Sequence, residues 1–250
     1  MEKNDHIFLS ALAKKTYQKD LFYSERAMNY LTTRVSKDSI KSFCLGFCFR
    51  RDSALKQLSA ISSLENLKHL GIFAETEEGR IYDRFFNRII FPINSAQGAT
   101  LGFVARALEQ SPFKYLNTED GVFFKRSELF FGLDVAIPYI IREGFVFICE
   151  GLFDVIAMHE AGFKNCIASL GTSLTKAQLD SLRFFTSNIA ILFDGDAAGQ
   201  AGSMNVQSLA ASLGFKVQTI NLPVTDDPDS LYREIGREPF RTFIGNSLYF

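Results

Sequence analysis

The chain has 250 residues, 47% of them hydrophobic, with 26 Phe, no Trp and a formal net charge of −1. That length and apolar content exclude a disordered chain and fit a globular protein of one large or two smaller domains. The near-neutral total hides a division, because residues 80–126 hold seven Lys or Arg against four acids and residues 144–236 hold five against ten. An acidic module beside a basic segment suits a polyanionic substrate, although ordinary surface charge gives the same split.

In chain order, residues 7–70 show helical periodicity, with Leu9, Leu12, Ala13, Leu21, Met28 and Leu31 recurring at near-helical spacing. Ser36 with Asp38 and Ser39 predicts a cap, and Gly46 and Gly71 are expected as stops. Cys44 and Cys48 sit four apart in an apolar run with no second Cys or His pair nearby, so core packing is favoured over a four-ligand zinc site. From Phe85 the pattern turns β-branched and aromatic. Residues 85–93, a turn at Asn94–Gly98 and a return over 100–107 predict a hairpin carrying Arg84, Arg88 and Arg106. Residues 111–142 mix Pro, Asn, Gly and aromatics and support no firm assignment. A regular alternation follows: strands over 145–149, 166–170, 189–193 and 216–222, and helices near 152–162, 175–185, 197–213 and 229–235. Short apolar strands separated by helices indicate an α/β fold with a parallel sheet covered on both faces.

The acids fall where those strands end: Glu150 and Asp154, Asp194 and Asp196, and the run Asp226-Asp227-Pro228-Asp229. Right-handed crossovers bring strand ends to one edge, where clustered carboxylates are costly unless a hard divalent cation neutralises them. Each motif also has a plain explanation. Glu150 and Asp154 suit a cap region, Asp227-Pro228-Asp229 suits N-capping, and Gly171-Thr172-Ser173 suits a turn as well as a phosphate cradle. A calcium loop at Asp194 lacks ligands at Ala198 and Asn205, and a phosphatase of the aspartyl-phosphate type expects its acid pair on the first strand.

Glu150-Gly-Leu-Phe-Asp154, Leu170-Gly-Thr, Asp194-Gly-Asp196 with Gly199, and Asp227-Pro-Asp229 together resemble the Toprim module of bacterial-type primases, topoisomerases and some nucleases. Upstream, Tyr30-Leu-Thr-Thr-Arg34, the runs over 82–93 and 101–106, Lys114-Tyr-Leu-Asn117 and Phe124-Lys125-Arg resemble the DnaG-type primase catalytic core in order and spacing, from about Lys19 to Phe240. One departure is Val104-Ala105, where the family commonly has Gly-Gly before the arginine. The resemblance implies a Toprim-type sheet flanked by helices (144–236), preceded by a mixed α+β basic subdomain (1–143) and followed by a C-terminal tail (237–250).

It further implies synthesis of short RNA primers on a single-stranded DNA template from nucleoside triphosphates. Asp194, Asp196, Asp227 and Asp229 would hold Mg²⁺ or Mn²⁺, with Glu150 as general base and Asp154 supporting it or the metal. Arg84, Arg88, Arg106, Lys114, Asn117 and Lys125 would line the groove for template and nucleotide. A replicative helicase and a separate zinc-binding domain are the implied partners. Four cysteines without secreted-scaffold spacing, no signal peptide and no apolar run near bilayer length point to a cytoplasmic protein without a membrane partner. Two other readings use the same acids: a Toprim nuclease or topoisomerase that cleaves DNA, the latter needing a tyrosine on another domain, and a non-catalytic DNA-binding module.

Overall fold

The computed structural model describes residues 1–171 and 173–249, and the chain divides into two compact units, Met1–Lys125 and Arg126–Phe250. In the first unit the N-terminal periodicity becomes α1 (Lys3–Tyr23), whose Leu9, Ala13, Tyr17 and Leu21 recur every four residues and are all buried. Burying one leucine of such a stripe stabilises a fold by roughly 1.5–3 kcal/mol. Helix α2 (Glu25–Thr32) is capped by Ser24, which accepts from the Ala27 amide at 3.2 Å. Helix α3 (Lys37–Ser42) begins at the predicted cap, with Ser36 accepting from the Ser39 amide at 3.1 Å.

Strand β1 (Gly46–Phe47) precedes two short helices, α4 (Ser53–Leu58) and α5 (Leu64–Lys68). Gly71 follows α5 as expected of a stop, whereas Gly46 lies within β1. A Cβ at Gly46 would stand 2.8 Å from the backbone carbon of Tyr17, so the glycine lets α1 lie directly on the strand. Strands β2 (Phe73–Glu75) and β3 (Ile81–Asp83) form a separate antiparallel ribbon. The predicted hairpin is β4 (Arg88–Asn94) and β5 (Thr100–Ala107), paired antiparallel from Arg88↔Ala107 to Asn94↔Thr100. With β6 (Tyr115–Asn117) it completes a sheet of order β1-β4-β5-β6. Cys48 is buried in the core formed by α1, α4 and this sheet, as the packing reading expects, whereas Cys44 is only half-buried, in a turn with φ 52°.

The second unit opens with a 3₁₀ turn (Arg126–Glu128), β7 (Phe130–Phe131) and α6 (Leu133–Glu143). The alternation then follows as predicted: β8 (Val146–Cys149), α7 (Leu152–Ala161), β9 (Cys166–Ser169), α8 (Lys176–Leu182), β10 (Asn188–Ile191), α9 (Ala197–Ser212), β11 (Lys216–Thr219) and α10 (Pro228–Ile235). The sheet runs β11-β10-β8-β9-β7, with β11, β10, β8 and β9 parallel and β7 an antiparallel edge.

Two boundaries differ from the sequence reading. The units divide at 125/126 rather than 143/144, because β7 pairs with β9 and α6 packs against the same strand. Residues 237–246 form helix α11 (Arg237–Asn246), which buries Phe240 and Ile244 and packs on α10 and α7 instead of trailing as a tail. Thr172 of the predicted Gly171-Thr172-Ser173 turn lies outside the described residues.

Candidate metal centre and nucleic-acid face

Strands β8 and β10 are neighbours, while the strand between them in sequence, β9, pairs on the far side of β8. Chain order therefore reverses between β8 and β10, and in open α/β sheets the crevice beyond the strand ends at such a reversal is where ligands bind. Glu150 leaves β8 at that point and Asp194 follows β10, and a Glu150 carboxylate oxygen accepts from the Asp194 amide at 3.2 Å.

The acids grade from interior to solvent. Asp154 and Asp229 are buried, Asp194 and Asp227 half-buried, and Glu150 and Asp196 exposed. Asp154 accepts from the amides of Gly151 at 2.8 Å and Asp229 at 3.3 Å, which ties the start of α7 to the start of α10. Burial, reinforced by the charges of Asp227 and Asp194, nevertheless pushes its carboxyl up to about 8. Partial burial and the charge of Asp196 also raise Glu150, against the Asp194 hydrogen bond. The plain capping roles are present too. Asp196 accepts from the Gly199 amide at 2.8 Å at the start of α9, and Asp227 accepts from the Ser230 amide at the start of α10. Capping and convergence thus coexist, since a strand end facing a helix N-terminus is where both occur.

The backbone locks the loops together. The Gly195 amide donates to the Asp226 carbonyl at 2.9 Å, and a Cβ on Gly195 would stand 1.9 Å from the Pro223 carbonyl oxygen. Only glycine fits where the Asp194–Asp196 loop crosses the Leu222–Pro223 backbone that leads into Asp226.

In the first unit the predicted cations divide by role. Arg88 is buried and donates to the Phe113 carbonyl at 2.8 Å, the Lys114 carbonyl at 3.4 Å and Ser111 Oγ at 3.1 Å. It holds the loop before β6 rather than lining a groove, and burial lowers its basicity. Arg84 donates to the Gly71 carbonyl at 3.2 Å and pairs with Glu119 at 3.0 Å. Arg106, by contrast, stacks on Tyr30 at 5.0 Å and Tyr115 at 5.9 Å from the ring centroids, and Lys114 lies 5.9 Å from the Tyr115 ring. The pairing Arg106↔Tyr115 and Val104↔Asn117 puts Arg106, Tyr115 and Asn117 on one sheet face, and Arg34 reaches the Tyr30 hydroxyl at 3.3 Å. Lys114 and Lys125 are exposed. Cations interleaved with aromatic rings are the chemistry that grips a nucleic-acid strand.

Residues 16–137 match the family model of the DNA primase catalytic core, N-terminal domain, and residues 147–232 match a Toprim-like model. Among solved structures, the Aquifex aeolicus primase (zinc-binding and RNA polymerase domains) superposes with a TM-score of 0.93 at 31% identity, over 99% of this chain and 62% of that one. A DnaG primase catalytic domain bound to ssDNA gives 0.89 at 29%, over 98% and 82%. A DNA primase domain from Pseudomonas aeruginosa gives 0.88 at 31%, over 97% of this chain and 78% of that one. The chain belongs to the DnaG-type primase catalytic-core family. It spans less than half the length of the curated DNA primases it matches, 42% of the Clostridium acetobutylicum protein at 31% identity.

Membership in this primase family implies use of a divalent metal, and the hard oxygen donors at the β8 and β10 ends suit one. Among the described residues no group of three or more acids, Cys or His is placed to hold a metal ion by itself. That open arrangement fits a small hard cation held by one or two carboxylates, with water and substrate phosphates supplying the rest. Both oxygens of Asp229 accept from Arg233, at 3.2 and 3.1 Å, so this buried acid of the primase core is engaged in an ion pair. Arg233 was not among the residues expected at the site. Its signal was the i,i+4 spacing from Asp229 on α10.

Proposed function

We propose that this chain is a primase catalytic core that makes short RNA primers on single-stranded DNA by metal-dependent nucleotidyl transfer. One observation carries the proposal: the Glu150–Asp194 contact at the β8/β10 reversal, beside an Asp154 carboxyl raised first by burial and then by the charges of Asp227 and Asp194. A crevice of mutually repelling carboxylates has little structural use, and it suits cations that bridge to a polyphosphate.

In this reading Asp194, Asp196 and Asp227 hold Mg²⁺ or Mn²⁺, which when bound would neutralise charge on the triphosphate and on the attacking and leaving oxygens. Asp229 serves the same set while Arg233 fixes its side chain. Glu150, exposed and raised in pKa, accepts the proton from the primer 3′-hydroxyl as its oxygen forms a bond to the α-phosphorus and the bond to pyrophosphate breaks. Asp154 holds the starts of α7 and α10 in register beneath it. Arg106, Lys114, Asn117 and Lys125 bind template and nucleotide, with Arg84 and Arg88 positioning that face through the carbonyls they hold. A zinc-binding domain and a replicative helicase act as partners, in the cytoplasm. No described helix is long and apolar enough to cross a membrane.

The test is incorporation of labelled ribonucleotides on mixed-sequence single-stranded DNA with Mg²⁺ or Mn²⁺, beside an Asp194→Ala control and a labelled-DNA cleavage lane. Short metal-dependent products absent from the control are expected. Cleavage without synthesis would replace this reading with a Toprim nuclease.

A further inference from the structure

The first unit carries a second cationic cleft, of about 610 Å³, built from residues with no part in the site above. One wall is a stripe of α1 containing Lys15, Lys19 and Tyr23, and the other is the solvent face of α4 with Lys56. Positions 12, 15, 16, 19, 20 and 23 of α1 recur at helical spacing, opposite 52, 53, 56 and 57 along α4 and its cap. The β1–α4 connection closes one end with Phe49 and Arg50.

Three features give the cleft a ligand chemistry. Its four cations, Lys15, Lys19, Arg50 and Lys56, face only two carboxylates, Asp20 and Asp52. Asp20 is already engaged, accepting from the Phe49 amide at 3.3 Å. Among the described residues none of Lys15, Lys19 and Lys56 forms an ion pair, whereas exposed lysines such as Lys68 and Lys176 each pair with a carboxylate at 2.6 Å. Finally, two rings that an apolar core would bury stay open, Tyr23 at 68% and Phe49 at 41% exposure, with Arg50 at 5.9 Å over the Phe49 ring.

Unneutralised ammonium groups beside open aromatic faces suit a ligand carrying both phosphate and a flat base. The volume lies within the range of about 300–1,000 Å³ typical of small-molecule sites. We propose that this cleft binds a nucleotide, its phosphates on Lys15, Lys19 and Lys56 and its base against Phe49 or Tyr23. Two sources supply that chemistry: a free nucleoside triphosphate, and one unit of a single strand passing over the unit. The proposal does not depend on the reaction assigned to the carboxylates.

The chain contains no Trp, so Phe49→Trp places one indole reporter in the cleft. Its emission is titrated with ATP, a short oligo-dT and poly-glutamate, in the parent background and with Lys15→Glu, Lys19→Glu and Lys56→Glu combined. All three lysines are exposed, and a melting curve for each protein confirms folding. Saturable quenching by ATP or oligo-dT, weakened at least tenfold by charge reversal and by raising salt, is the expected result. Whichever ligand saturates at the lower nucleotide concentration names the source. Equal affinity after charge reversal, or poly-glutamate acting as well as the nucleotides, would each overturn the proposal, as would silence of both this reporter and the one that follows. As a second reporter, Tyr23→Trp in the Phe49 background guards against a Phe49 variant that itself abolishes stacking, and its silence as well would overturn the proposal.

Discussion

The acids of the second unit and the arginines of the first solve opposite electrostatic problems. At the β8/β10 reversal, carboxylates crowd one another until burial and like charge hold Asp154 at about 8, so the folded chain stores repulsion there. On β4 and in the turn before it, Arg88 and Arg84 are satisfied by carbonyls and a carboxylate, and their loss would remove structure. Function should therefore separate from stability in the acidic region and coincide with it at the inward arginines.

The largest expected effect breaks the acidic side. Asp194→Ala should lower ribonucleotide incorporation by about a thousandfold or more with no loss in unfolding midpoint, read by urea titration. A matching loss of stability would put Asp194 among the structural residues. Arg88→Met tests the other side. It strands the Phe113 and Lys114 carbonyls and Ser111 Oγ, and should cost about 2–3 kcal/mol. An unchanged midpoint would mean that loop is held by other groups. Arg233→Ala leaves buried Asp229 without its cation and should cost about 2 kcal/mol, less than a fully buried pair because Arg233 is itself partly exposed.

Asp83 shows that a buried carboxylate can be strained without belonging to a site. It accepts from the Ala54 amide at 2.9 Å and the Tyr17 hydroxyl at 3.3 Å, yet burial raises it to about 7. Its folded pKa stands above the ordinary 3.8, so the folded state binds more protons between those values. Its stabilising contribution is complete below about pH 4 and falls as pH rises through about 7. In Asp83→Asn that fall should vanish, visible as a difference in urea midpoint that grows across the window. A pH-independent difference would assign Asp83 a charge-free role. The smallest effect is Lys114→Ala. Template affinity should weaken and the salt slope of binding drop by about one, with stability within about 0.5 kcal/mol.

Much of this was legible in the residues. The β8–α10 alternation follows from short apolar strands, and Glu150 and Asp194 closely follow β8 and β10 while Asp227 and Asp229 stand at the start of α10, so their convergence followed from the expected parallel sheet. The hairpin was readable because Asn94–Gly98 breaks two apolar runs, and its Gly98 takes a positive φ of 83°. Three parts were obscured. Strand β7 has two residues, α6 contains Pro138, and α11 has Pro239 in its first turn, so periodicity and breaker signals misplaced both ends of the second unit. Arg88 looked like Arg106 in sequence, because which arginine turns inward depends on residues 111–114, whose irregular composition gave no warning that their carbonyls needed a donor.

Whether the carboxylate crevice takes a divalent cation can be read from the unfolding midpoint as Mn²⁺ is titrated into the parent and Asp194→Ala chains. Mn²⁺ should raise the parent midpoint saturably, and Asp194→Ala should start at or above the parent without metal and gain little. Equal gains in both proteins, or no gain in the parent, would contradict a cation site there.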